Sequence, residues 1–259
     1  SYTNSGAEGF NINGTIVNNG SGTYNNTAGG LNLNATGVMK NTSGTARYTN
    51  TGIGGMNFNG TVENKGTTIA NNKAGNLNIG GSFTNKGASD FTNDGNAFNV
   101  SGTVNNSEGK LTMVNNGKDG FNVSKSGKIN ANGLAMTNNG ANGFDMDGAI
   151  VNNGQGDYLN TKGNFNIDGT INNTGNGNYT NKGDALNVNG TITNTGVGTY
   201  LNEGANGFNV KGSITNNGEG SYTNTGAKGL NVNGTITNNG EGSYTNSGAE
   251  GFNINGTIV

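Results

Sequence analysis

The feature that most constrains this chain is repetition: the 22-residue stretch Tyr222–Ser243, YTNTGAKGLNVNGTITNNGEGS, recurs along the whole sequence with small edits. Self-similarity at a fixed period of this size marks a solenoid, in which each unit buries its apolar residues only against its neighbours. Aligning the units gives four apolar stations. The first holds Tyr2, Tyr24, Tyr48, Ile69, Phe91, Met113 and Met136, then tyrosine in every unit from Tyr158 to Tyr244. The second and third form pairs such as Phe165/Ile167 and Leu230/Val232, and the fourth is typified by Ile171, with Val38 in the second unit. Eleven intervals separate Tyr2 from Tyr244 over 242 residues, a mean period of 22.

Within a unit the patterns apolar-Asn-apolar and Thr-Ile-Thr have period 2, which is strand periodicity with one apolar face. Each unit therefore holds three short strands, at Tyr-Thr-Asn, Phe-Asn-Val-Asn and Thr-Ile-Thr-Asn, divided by Gly- and Asn-rich turns. Strands this short are stable only if each pairs with its copies in the units above and below, about 4.8 Å away. The predicted fold is all-β: a right-handed three-faced parallel β-helix (β-solenoid) with about 22 residues per coil and eleven coils per 242-residue block. Its handedness follows the general preference of parallel crossovers. Composition argues the other way, since 51 Gly and 58 Asn among 259 residues, with 29% hydrophobic, is the profile of a disordered chain. The fixed spacing of the few apolar residues decides for the solenoid.

Asparagine is as periodic as the apolar residues. Two positions after the first station stand Asn4, Asn26, Asn50, Asn71, Asn93, Asn115, Asn138, Asn160, Asn181, Asn202, Asn224 and Asn246. That offset points to the same strand face as the aromatic ring, so these amides face inward. Stacked at coil spacing they can hydrogen-bond along the axis, which predicts an internal ladder. A second file follows the fourth station from Asn18 to Asn238, interrupted by Lys40 and Ala131. A third, from Asn11 to Asn253 with Asp145 as its one substitute, faces outward and reads either as a solvent-facing ladder or as a ligand surface.

Rhythm breaks at Ala35–Arg47 and between Val104 and Ile129. Such departures are expected to be loops, where binding residues tend to sit, or else drift in a tolerant turn. The candidate ligand-binding residues there are Lys40, Arg47, Lys110, Lys118, Lys125 and Lys128. A longer period is also present: residues 1–17 and 243–259 are the same seventeen letters, SYTNSGAEGFNINGTIV. The whole segment 1–259 is read as one rod, with 1–242 a super-repeat and 243–259 the start of the next, cut from a longer array.

The absence of His and Cys removes Ser-His-Asp and Cys-His catalysis and restricts metal ligands to carboxylates. Asp145, Asp147 and Asp168 are the only clustered acids, either weak cation ligands or, more remotely, the acids of a polysaccharide-cleaving β-helix. Neither a metal nor any other cofactor is expected. The net charge of −2 offers no footprint for nucleic acid, and no apolar run is long enough for this segment to insert in a membrane. Lack of cysteine accords with export.

The sentence G-x-[FL]-N-V-N-G-T-I-T-N-N-G resembles the passenger regions of large Gram-negative surface adhesins, of the filamentous-haemagglutinin type and the fusobacterial autotransporter type. The resemblance spans the chain and rests on repeat style. It implies a right-handed β-helix displayed on or shed from a bacterial surface, acting in adhesion or matrix building. The partners expected are neighbouring super-repeats of the same or an identical chain, and host or bacterial surface glycans or proteins. The expected function is structural and adhesive rather than enzymatic, with a filament subunit joined end to end by coil stacking as the alternative.

Overall fold

The structure, a computed structural model, describes residues 1–259 and contains 36 strands and no helix. The first coil shows the plan: β1 (Tyr2–Asn4), β2 (Phe10–Ile12) and β3 (Thr15–Asn18), with a corner after each. Every third strand falls in the same sheet, so the chain winds into three 12-stranded sheets with neighbours in coil order. All pairings are parallel and in register, as in Tyr200↔Tyr222, Asn187↔Asn209 and Ile192↔Ile214. At ordinary strand spacing the rod is roughly 53 Å long. Hydrogen bonding continues through the corners: of 188 backbone hydrogen bonds, 88 lie outside regular strand pairing, among them Thr42 N to Asn18 O at 2.9 Å.

The apolar stations converge on the axis, and 45 buried residues make one continuous core. Identical side chains stack along it. Tyr158, Tyr179, Tyr200, Tyr222 and Tyr244 form a column with ring centroids 4.8 to 4.9 Å apart and planes within 7° of parallel. On the second sheet Phe98, Phe121, Phe144 and Phe165 stack at 4.5 to 4.9 Å with planes within 19° of parallel.

Two stations differ from the sequence alignment. In Thr67–Asn72 the residue facing in is Ala70, paired with Tyr48 and Phe91, while Ile69 faces out between Arg47 and Asp90. A one-residue slip would reverse every side chain of the strand. The slipped strand would still offer the core a threonine and an amide, as Thr67 and Asn71, so hydrogen bonding does not decide between the two. Volume does: the rings of Tyr48, Phe58, Phe83 and Phe91, with centroids 4.9 to 5.4 Å apart, fill the interior here and leave room for alanine rather than isoleucine. In Val38–Asn41 the amide decides: Met39 turns inward in place of Val38 and aligns Asn41, rather than Lys40, with Asn18 and Asn64.

The two breaks in rhythm share one device. At Asn34–Gly37 and Ser124–Gly127 two extra residues fold into a tight turn, closed by Gly37 N to Asn34 O and Gly127 N to Ser124 O, both 2.8 Å. Strand register resumes at once, with Ile129 opposite Val104. These are compact corners, not projecting loops.

Candidate functional site

The first-sheet ladder is complete: eleven side-chain bonds link Asn4 to Asn246, each Nδ2 donating to the next coil's Oδ1 at 2.7 to 2.9 Å. The rung in the fourth coil is Asn72. Asn71 faces outward opposite Thr49, which corrects the sequence alignment for the slip described above. The third-sheet file also forms a ladder, with Asn41 rather than Lys40 bridging Asn18 and Asn64 at 2.6 and 2.8 Å. Lys40 points out and pairs with Glu63 at 3.1 Å. Only Ala131 interrupts this ladder.

From Tyr158 to Tyr244 each first-sheet tyrosine hydroxyl bonds to the third-sheet ladder, whereas those of Tyr24 and Tyr48 do not. Tyr179 Oη accepts from Asn173 Nδ2 at 2.7 Å and donates to Asn194 Oδ1 at 3.2 Å, and Tyr200 and Tyr222 repeat the pattern. Each of these rings lies over a glycine two residues earlier. A Cβ on Gly198 would sit 2.1 Å from Asn216 Oδ1, and one on Gly156 would sit 2.8 Å from the Tyr158 ring, so no larger residue fits. Where Ala70 or Phe91 stands in place of the tyrosine, the preceding inward residue becomes Thr68 or Ser89, whose hydroxyls donate to Asn85 at 3.2 Å and Asn106 at 2.8 Å. In the following coil all three positions turn apolar together, as Leu111, Met113 and Ala131. This glycine/hydroxyl file escaped the sequence reading because a glycine at a core position carries no apolar signal.

The loss of one rung leaves no orphaned buried atom. Asn106 Nδ2 turns back to Glu108 O and Gly109 O at 3.0 and 2.9 Å, and Asn152 Oδ1 accepts from Gly133 N at 2.9 Å. Outside the missing rung lies a cleft of about 240 Å³ lined by Asn105, Ser107, Asn130, Asn132 and Asn153, with Ala131 in its floor.

The outward file on the second sheet is a ladder of opposite polarity, each Nδ2 donating to the preceding coil, from Asn32→Asn11 at 2.8 Å to Asn253→Asn231 at 2.9 Å. It breaks once. Asp145 accepts from Asn166 at 2.7 Å but has no amide hydrogen for Asn122, its partner in register. Burial raises the Asp145 carboxyl above its ordinary pKa, the Asn166 amide opposes this, and the charges of Asp147 and Asp168 add to it. Asp168 accepts from Asn189 at 2.6 Å. No three acidic side chains converge into a group able to hold a metal ion.

The six basic candidates do not gather. Lys40, Arg47 and Lys128 stand on strands, at Val38–Asn41, Thr45–Asn50 and Lys128–Ala131, and not in loops. Lys110, Lys118 and Lys125 occupy three different corners of the rod, because a stretch shorter than one coil spreads around the whole circumference. Lys110 lies 3.9 Å from Asp157, two coils on. No protein-family model, curated protein or solved structure matches this chain.

Proposed function

We propose that the chain is a length of an extracellular rod on a bacterial surface, structural and adhesive rather than enzymatic, that grows by stacking further 242-residue blocks. The observation that carries this is the fit of the shared seventeen-residue coil on both sides. As 243–259 it stacks on the coil before it, with Tyr222↔Tyr244 and Asn224↔Asn246 in register. As 1–17 it receives the coil after it, with Tyr2↔Tyr24 and Asn4↔Asn26. Both neighbours of this coil are thus described, and a block joins the next without a seam in any ladder.

Proteins of one, two and three blocks are expected to give rods of proportional length in negative-stain micrographs, and beads coated with them to adhere to host or bacterial cells. Bent or broken junctions would refute the rod, and beads no stickier than bare ones would refute the adhesive role. The same coil identity favours one second reading, separate chains docking end to end. Concentration-dependent sedimentation of a single block distinguishes it from one long chain. Glycan-cleaving activity that disappears in Asp147→Asn would overturn the non-enzymatic reading.

A further inference from the structure

The rod's surface is chemically self-satisfied almost everywhere, because its amides are spent on one another along the ladders. The side chains of Asn25, Asn59, Asn71, Asn96, Asn172 and Asn206 are unengaged, but each stands in a different coil, and only at Ala131 do unengaged groups gather. The side chains of Asn132 and Asn153 and the Ser107 hydroxyl form no hydrogen bond within the chain, and Asn105 uses only its Oδ1, which accepts from Asn130 Nδ2 at 2.6 Å. Unengaged amides and a hydroxyl therefore face one concave space, each amide offering both a donor and an acceptor.

From this we infer that the ladder gap at Ala131 is a binding site for a single neutral pyranose unit of a glycan. Three properties select that class. Sugar hydroxyls both donate and accept, as the lining amides do. No carboxylate or ammonium lines the cleft, so an ionic ligand would find no counter-charge there. Its volume of about 240 Å³ falls below the ~300–1,000 Å³ of drug-sized sites, which suits one ring and excludes a buried oligosaccharide. The site exists because an apolar coil interrupts the ladder, and the super-repeat would present it once per block. The inference rests on the adhesive reading, for which it names the ligand.

The test is Ala131→Asn in the full 259-residue chain. The new amide would accept from Asn106 and donate to Asn152, completing the ladder beneath the cleft and releasing the Glu108 and Gly109 carbonyls and the Gly133 N–H that now hold the corners flanking it. Saturation-transfer NMR with the methyl glycosides of glucose, galactose, mannose and N-acetylglucosamine is expected to detect at least one binder. Its binding should weaken at least tenfold in Ala131→Asn, whose unfolding midpoint should rise. The surface double variant Asn132→Ala/Asn153→Ala should lose the same binding with an unchanged midpoint, which guards against misfolding as the cause. No transfer from any glycoside, or full binding by Ala131→Asn, would overturn the site. Bead adhesion that persists in Ala131→Asn would reject this cleft as the adhesive contact and leave the adhesive rod standing, whereas wild-type beads that do not adhere would defeat the rod's adhesive role itself.

Discussion

The coils from Gly156 to Asn246 and the coil from Leu111 to Ala131 use the same backbone for different interiors. In the former, glycine, tyrosine and asparagine interlock: the ring covers the glycine and its hydroxyl bonds to the third-sheet amide. In the latter, leucine fills the glycine's place, methionine replaces the ring, and the amide is gone. The three positions lie on two sheets and twenty residues of sequence, yet here they change together, while the next coil restores the amide as Asn152 beside Leu134 and Met136. Sequence identity within a repeat is therefore not set position by position. It is set by which side chains meet inside one coil.

The largest effect separating the two regions should come from alkali. Burial, reinforced by the neighbouring tyrosines, holds the Tyr179 and Tyr200 hydroxyls well above the ordinary tyrosine pKa. The unfolded chain ionises these groups near pH 10 and the folded one does not. This stability is complete below about pH 10 and lost as pH rises toward the folded pKa. Hydrogen exchange should show the tyrosine coils opening in alkali before the Leu111–Met136 coils, and simultaneous opening would break the comparison.

Next in size, Gly198→Leu should destabilise by about 4 kcal/mol, through overpacking against Tyr200 and the displacement of the Asn216 amide. Met113→Tyr should fail for the converse reason, because Leu111 occupies the ring's space, and should recover when Leu111→Gly and Ala131→Asn are added. Calorimetric additivity of the three changes would contradict the interlock.

Asn160→Leu removes one buried partner each from Asn138 Nδ2 and Asn181 Oδ1 and should cost about 3 kcal/mol. Asn166→Leu, on the outer ladder, should cost about 0.5 kcal/mol or less. Equal urea midpoints would undo the distinction between inner and outer ladders.

The smallest effect concerns Asp145. Its folded pKa is raised, so its contribution favours the folded state at acid pH and fades as pH climbs through the folded value. Protonated, it gains the hydrogen that the Asn122 rung lacks. Exchange of the amides around Phe144–Met146 should slow slightly on acidification, and Asp145→Asn should abolish that dependence.

The repeat length, three strands per coil, parallel stacking and two inner amide files were all legible in the letters. They follow from periodicities of 2 and 22 that act within one coil or between identical ones. The failures fell where a unit offered two adjacent candidates for one place: Ile69 or Ala70, Asn71 or Asn72, Val38 or Met39, Lys40 or Asn41. An alignment by apolar character takes the larger side chain. Stacking takes the one that suits the neighbouring coils: Asn41, because an orphaned amide is costly, and Ala70 with Asn72, because the Phe58 and Phe83 rings leave no room for isoleucine. Likewise the lysines between Lys110 and Lys128 look clustered in sequence and are spread by a chain that turns through all three faces within one coil.

What the sequence determined by itself was the existence and period of the rod, since alternation and repetition are properties of the chain alone. Only the tertiary structure decided which residue of each ambiguous pair faces in, that glycine and tyrosine are one unit, and that Ala131 opens a cleft. Those outcomes depend on contacts between residues a coil apart, whose hydrogen-bond requirements are met or missed only once the coils are stacked.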